Sequence, residues 1–171
     1  MPSTPRYEAI AGDAYPTWAA AITKAQSRIV VLTPYLDELL VTLIRKAKIP
    51  PKAVTVVTDL SPESSATDYL RQLKALAELA ETSVDLRSLP RLHAKVLLAD
   101  DETFTVGSQN FTTYARKSRE TTIATSVEAD SASFIATVWE WIDEATPLDR
   151  ELLAALISAI DTEAQHAQEA V

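Results

Sequence analysis

Four polar side chains between residues 93 and 110 have the types and spacing that phosphate chemistry requires. His93 and Lys95 are two residues apart in a run of strand-forming residues, so both should project from one face of a strand. Ser108 and Asn110 share a face at the end of the next such run. An imidazole can attack phosphorus or transfer protons, an ammonium offsets negative charge, and a hydroxyl and a carboxamide donate hydrogen bonds. The segment therefore predicts a phosphate-binding site with His93 as its reactive group.

Gly107 immediately precedes the second pair and is one of two glycines in the chain. A residue without a side chain lets two backbones approach closely at a strand end. A turn at Asp101 and Glu102 separates the two strand-like runs. We therefore predict a hairpin that gathers the imidazole, ammonium, hydroxyl and carboxamide in one place.

The same segment resembles the HKD signature of the phospholipase D superfamily, H-x-K-x4-D-x6-G-S-x-N. A glutamate in the polar loop beyond the G-S-x-N element, here residues 110–120, is usual in the nuclease branch. Glu120 looks like that residue. The resemblance is to a single-motif, nuclease-like member, since the signature occurs once. All six fixed positions match with the correct spacing: His93, Lys95, Asp100, Gly107, Ser108 and Asn110.

The resemblance implies a two-step cleavage of a phosphodiester that needs neither a metal nor another cofactor. His93 would attack phosphorus and form a phosphohistidine, which water would then release. Lys95 and Asn110, assisted by Ser108, would hold the non-bridging oxygens. Glu120 would hydrogen-bond the other imidazole nitrogen and fix its tautomer.

This reaction also needs a second histidine, which protonates the leaving oxygen and later activates water. The only other histidine is His166, in a polar C-terminal run without a lysine at the HKD spacing, and we expect it on a helix surface. We therefore predict a homodimer in which His93 of two copies faces one phosphate. Asp100 is expected to give structural support by tying the hairpin turn together.

Basic and aromatic residues near the motif are candidates for contact with a nucleic-acid backbone, because such contacts need cations beside the cleavage point and gain from aromatic support. Tyr114 accompanies the basic residues of the polar loop. Tyr35 follows the first strand-like run, where loops border a ligand crevice. The alternatives are a solvated loop and, for Tyr35, a helix entry. The candidate substrate-binding residues are Arg91, Arg116, Lys117, Arg119, Tyr35 and Phe111.

The elements that must position these residues alternate between strand and helix in the first half of the chain. Two strand–helix–strand units predict parallel strands, and four closely spaced strand-like runs follow them. The pattern predicts an α/β fold: a single phospholipase D-like domain with a mixed, mostly parallel sheet flanked by helices, an α/β/α sandwich. Acidic helices over 130–168 are expected to pack on this domain or at a dimer interface. Strands are predicted at 28–32, 54–58, 84–89, 92–99, 103–109 and 121–127, and helices at 13–26, 36–44, 61–80, 130–145 and from 146 onward.

Charge is unevenly distributed along the 171 residues, whose formal total is −8. Residues 1–120 hold 15 basic and 14 acidic side chains, whereas residues 121–171 hold one basic and ten acidic side chains. The total therefore does not exclude a nucleic-acid partner near the motif. The chain has no cysteine, which excludes a disulfide scaffold, a thiolate metal site and a cysteine nucleophile.

These observations favour a homodimeric, metal-independent endonuclease that acts on nucleic acid, DNA rather than RNA. We expect it in the cytoplasm and not in a membrane, because the sequence shows no targeting signal and no apolar run of about 20 residues. A partner protein such as a motor or ATPase subunit is expected to gate it. Two alternatives stay open. One is a lipid or small-molecule phosphodiesterase, and the other is a catalytically silent or regulated assembly module of a nucleic-acid-processing complex.

Overall fold

The computed structural model describes residues 7–60 and 65–169. Runs of β-branched and aliphatic residues form the inner strands, and segments with apolar residues at helical spacing form the helices. The strands are β1 (Tyr7–Ala11), β2 (Ile29–Leu32), β3 (Val54–Thr58), β4 (Asp85–Ser88), β5 (Val96–Ala99), β6 (Thr103–Gly107), β7 (Thr121–Ser126) and β8 (Thr146–Pro147). The helices are α1 (Tyr15–Lys24), α2 (Glu38–Ile44), α3 (Ala66–Ala80), α4 (Ala132–Glu144) and α5 (Arg150–Glu169), with 3₁₀ turns at Pro51–Ala53, Tyr114–Lys117 and Ala129–Ser131.

The strands form one sheet in the order β1-β7-β6-β5-β2-β3-β4-β8. The predicted single α/β domain with a mixed sheet is confirmed, but the prediction that the sheet is mostly parallel is wrong. Among the described residues, only β2–β3 and β3–β4 are parallel, and the other five pairings are antiparallel. The physical reason is connection length: β5, β6 and β7 follow one another without a crossover helix, so each returns beside its predecessor.

Two apolar layers cover the two faces of the sheet. Ile29 and Val31 of β2 face α1, α2, α3 and α5, whereas Val30 and Leu32 face α4. α5 packs along α3 and buries Leu153 completely. Because the inner strands are covered on both faces, they are nearly continuous runs of buried aliphatic residues. These layers confirm the predicted sandwich.

The sequence pattern does not predict β1 or β8, which add antiparallel edges to the sheet. Their side chains are mostly exposed, so neither strand has an apolar alternation. α3 begins at Ala66, where Ser65 accepts a hydrogen bond from the Asp68 N–H, and the predicted start at 61–63 lies outside the described residues. None of the described helices is both long enough and apolar enough to cross a membrane.

Asp100 lies in the turn between β5 and β6, but its carboxylate joins a different segment. The backbone N–H groups of Gln26, Ser27 and Arg28 donate to it at 2.7–3.1 Å, and the Ser27 hydroxyl donates at 2.9 Å. Burial alone would raise the pKa of Asp100, but these hydrogen bonds lower it to about 2. Asp100 thus fixes the connection from α1 to β2. The expectation that it ties the hairpin turn itself is corrected, because its side chain leaves that turn.

We predict that Asp100→Asn lowers the free energy of unfolding by about 1 kcal/mol near neutral pH, allowing for solvent screening of this partly exposed group. A carboxylate whose pKa is depressed by folding stabilises the protein above its unfolded pKa and loses that contribution as the pH falls. The difference from wild type should therefore disappear between about pH 4 and pH 2. Urea denaturation across this range measures it. Glu102→Gln, an exposed neighbour, is the control, and a difference that does not change with pH would contradict the prediction.

Candidate active site

His93 and Lys95 lie immediately before β5, an inner strand, and so at the end of the sheet where its strands begin or stop. The ladder of β5 begins at Val96, opposite Leu32 of β2 and Val106 of β6. The prediction that His93 and Lys95 lie within a strand is therefore wrong. Thr33 and Pro34 end β2 at this level, so β5 loses its partner on that side, whereas on the other side the Gly107 N–H of β6 still donates to the Lys95 carbonyl at 3.4 Å. His93 consequently lies on an exposed segment beyond the ladder.

The ammonium of Lys95 lies against the imidazole of His93. Lys95 Nζ is 3.2 Å from Nδ1 and 3.3 Å from Nε2 of His93, and it donates a hydrogen bond of 3.0 Å to the His93 carbonyl oxygen. Lys95 is only 9% exposed. Burial lowers the pKa of its ammonium, while the nearby Glu120 carboxylate acts in the opposite direction. The arrangement places a partly desolvated cation beside an accessible imidazole.

Gly107 brings the strand end of β6 into close contact with β7. A Cβ atom at this position would lie 2.2 Å from the Thr121 carbonyl oxygen, so no other residue fits without moving the backbone. The Ser108 N–H donates to that oxygen at 2.9 Å, and the Thr121 N–H donates to Ser108 Oγ at 3.1 Å. The predicted close approach at this glycine is confirmed.

Ser108 and Glu120 meet at this contact. The Ser108 hydroxyl donates a hydrogen bond to Glu120 Oε2. Among the described residues, Ser108 is the one hydrogen-bond partner of the Glu120 carboxylate. No hydrogen bond joins this carboxylate to His93 of the same chain within the described residues. Glu120 therefore lies at the predicted site, near Lys95 and Ser108, but not on the imidazole of its own chain.

Asn110 follows the same strand end and is half buried. Its Oδ1 atom is shielded from solvent and has no hydrogen-bond partner in the part of the chain that the structure describes. The side chain lines a cavity together with Tyr35 and Tyr114. Asn110 and Tyr35 thus share one recess, next to the strand end that carries Ser108.

Phe111 belongs to the core and is not a substrate-binding residue. It is 0% exposed, and its ring stacks on Trp18 with centroids 4.0 Å apart and an interplanar angle of 18°. Phe111 also forms a parallel bridge with Leu36. The prediction of substrate contact fails because this aromatic side chain fixes the start of the polar loop to α1.

Asp37 anchors the same loop and was missed by the sequence analysis. Its carboxylate accepts hydrogen bonds from the N–H groups of Leu39 at 2.9 Å and Thr113 at 2.8 Å, and Arg71 Nη2 lies 3.3 Å away. Asp37 is 4% exposed. An aspartate directly before an apolar helical stripe indicates an N-cap, but its bond to a loop 76 residues away has no local signal.

The candidate cations differ in their surroundings. Arg116 Nε lies 2.9 Å from Asp13 Oδ2, and its guanidinium lies 4.2 Å from the centroid of the Tyr15 ring. Asp13 also accepts a hydrogen bond from the buried amide of Gln109, which holds the start of α1. Arg116 is therefore already paired. The candidates with exposed side chains beside the site are Arg91, Lys117 and Arg119.

Near the ends of β5, β6 and β7 the structure thus places an exposed imidazole, a buried ammonium, a hydroxyl and a carboxylate. Within residues 7–60 and 65–169, no group of three or more His, Asp or Glu side chains is placed to hold a metal ion. The reactive group that this site itself provides is the imidazole of His93.

Two solved structures have a similar fold. The chain superposes on Nuc, a phospholipase D family member from Salmonella typhimurium, with a TM-score of 0.67 and 19% identity, over 85% of this chain and 99% of Nuc. NucT from Helicobacter pylori gives a TM-score of 0.68 and 12% identity, over 85% of this chain and 100% of NucT. At these identities the likeness shows the fold.

A phosphatidylserine synthase from Haemophilus influenzae also resembles the chain, with a TM-score of 0.64 and 14% identity, over 98% of this chain and 48% of the synthase. No curated protein sequence matches. The family model described as "Cardiolipin synthase, PLD-like domain" matches residues 19–146. This range contains His93, Lys95, Asn110 and Glu120 and covers more than half of the chain. The chain therefore belongs to the phospholipase D-like family.

Proposed function

We propose that the protein is a homodimeric, metal-independent endonuclease that cleaves a nucleic-acid phosphodiester through a phosphohistidine on His93. The observation that carries the proposal is the contact between an exposed His93 imidazole and the Lys95 ammonium, 3.2 Å from Nδ1. Ser108 and Asn110 follow the end of β6, which lies beside the start of β5 at the same end of the sheet.

In the proposed first step a nitrogen of His93 attacks phosphorus, and the P–O bond to the leaving nucleotide breaks. The leaving oxygen takes a proton from His93 of the second copy, which thereby becomes neutral and can act as a base. In the second step that imidazole takes a proton from water, whose oxygen attacks phosphorus and releases the first His93. Lys95 offsets the charge that develops on the non-bridging oxygens, and Asn110 donates a hydrogen bond to them.

The second copy is proposed because the chain supplies no second histidine near the first. His166 lies on the exposed end of α5, which packs against α3 on one face of the sheet. His93 is exposed beyond the sheet edge and is therefore accessible to an equivalent residue across a two-fold axis. Such an axis would place two copies of each site residue around one phosphate.

Nucleic acid is favoured as substrate by Arg91, Lys117 and Arg119, which are exposed beside the site and can contact neighbouring phosphates. The similar folds of Nuc and NucT support the same choice. A lipid phosphodiesterase is the second candidate, since the matching family model is described as a cardiolipin synthase domain and one similar structure is a phosphatidylserine synthase.

We predict that wild-type protein cleaves labelled oligonucleotides in the presence of EDTA and that His93→Ala reduces the rate by at least about 1,000-fold, since it removes the nucleophile. His166→Ala is the matched control and should cleave at the wild-type rate. Gel assays on single- and double-stranded DNA and RNA measure both variants. Cleavage that requires added metal, or that survives His93→Ala, would refute the mechanism. Hydrolysis of phospholipid vesicles without cleavage of any oligonucleotide would favour the second candidate.

We also predict a quadratic loss of activity when subunits are mixed. Wild type is refolded with an equal amount of His93→Ala, so that about one quarter of the dimers contain two wild-type subunits. If each active site needs His93 from both copies, the mixture should have about one quarter of the activity of an equal total amount of wild-type protein. A site within one chain would retain about one half. Light scattering on the same samples gives the mass of the active species, and an active monomer would exclude the dimer.

A further inference from the structure

A recess beside Asn110 has the size and lining of a ligand site that the cleavage chemistry does not use. Its volume is about 430 Å³, within the usual range of about 300–1,000 Å³ for small-molecule sites. It opens between the starts of α2 and α3 and the polar loop. We call it the Asn110 pocket, and its lining includes Tyr35, Asp37, Asp68, Arg71, Asn110 and Tyr114.

The charges in the Asn110 pocket disfavour a phosphate. Arg71 Nη2 is 2.5 Å from Glu38 Oε1 and 3.3 Å from Asp37 Oδ2, so its positive charge is already matched by two carboxylates. Asp68 adds a further negative charge to the lining. An anionic group would be repelled there, whereas an uncharged group that carries N–H donors would be bound.

Asn110 connects this pocket to the proposed cleavage site. Its Oδ1 atom lacks a hydrogen-bond partner among the described residues and is shielded from solvent, so the carboxamide must turn before Oδ1 can accept from a ligand in the pocket. The same carboxamide has an NH₂ group that can donate to a phosphate oxygen. One side chain can therefore bind a phosphate with one end and an adjacent donor group with the other.

Two tyrosines supply aromatic surface to the pocket. Tyr114 is 79% exposed, an unusual amount for so large a ring, and Tyr35 is half buried. Stacking on aromatic side chains is the common way in which proteins hold unpaired bases, and it tolerates any base sequence. The Thr113 N–H fixes the preceding backbone to Asp37, and Tyr114 lines the same pocket as Asn110.

We propose that the Asn110 pocket binds the nucleobase next to the cleaved phosphate, with Tyr114 as a specificity-determining residue. This inference rests on the proposed nuclease function. A base can enter the pocket only after it has left its stack, so the preferred substrate is single-stranded or locally unpaired nucleic acid. Base pairing in an intact duplex would prevent this contact.

The test compares a labelled single strand with a strand of the same length whose bases are all replaced by abasic residues. Wild type is expected to cleave the intact strand with a kcat/KM about tenfold higher than the abasic strand, and Tyr114→Ala should remove most of that ratio. Tyr114→Phe keeps the ring and should retain it. Tyr7→Ala, on another exposed tyrosine at the far end of β1, is the matched control and should leave the ratio unchanged.

An unchanged ratio in Tyr114→Ala, or equal cleavage of intact and abasic strands by wild type, would overturn the pocket assignment while His93-dependent cleavage kept the proposed function. Absence of cleavage on both strands would remove the proposed function and the inference together. A third substrate, tested with the same variants, is vesicles of phosphatidylcholine and phosphatidylethanolamine. Hydrolysis of these vesicles that Tyr114→Ala abolishes, without cleavage of either strand, would assign the pocket to a lipid head group instead.

Discussion

The contact between Gly107 and β7 determines where Ser108, Glu120 and Lys95 lie at the ends of their strands. At this point the β6 backbone approaches the Thr121 carbonyl so closely that a Cβ atom has no space. The ladder ends there, and Ser108 and Glu120 leave the two strands side by side, joined by a hydrogen bond. Because Val106 pairs with Val96, the same register sets the level at which Lys95 leaves the sheet. A shift of one residue would turn these side chains to the opposite face.

A second constraint holds the loop that follows. Residues 110–120 have little regular structure, yet the start of this loop is fixed: Phe111 stacks on Trp18, and Asp37 accepts the Thr113 N–H. The anchors come from α1 and from the start of α2, so the packing of the apolar layer determines the position of a polar loop. This explains why a buried carboxylate is tolerated at Asp37, whose oxygens receive several donors. The start of the loop is thus held against the two helices.

The motif, the sandwich and most inner elements could be predicted because their signals are local. The His93-to-Asn110 spacing and the aliphatic runs depend only on neighbours in sequence. The mostly parallel sheet was wrongly predicted because strand order depends on which edges meet, and the edge strands β1 and β8 carry no apolar alternation. Phe111 was misassigned for a similar reason: an aromatic residue beside a motif has the same sequence appearance whether it contacts substrate or the core. The bonds from Thr113 to Asp37 and from Ser27 to Asp100 each span more than 70 residues, and no sequence pattern indicates them.

The distribution of charge links the proposed dimer to substrate binding. Five arginines are matched by carboxylates within their own chain: Arg28, Arg45, Arg71, Arg87 and Arg116. In the part of the chain that the structure describes, Arg91, Lys117 and Arg119 near the site form no such pair, whereas residues 121–171 carry ten acidic side chains and one basic side chain. If nucleic acid is the substrate as proposed, the net charge of −8 would repel it at long range, and attraction to these cations would act within about one Debye length, roughly 8 Å. Three cations are few for a phosphate backbone. A two-fold axis through the site would double them around one groove, so the dimer that completes the chemistry would also supply the charge that holds the strand.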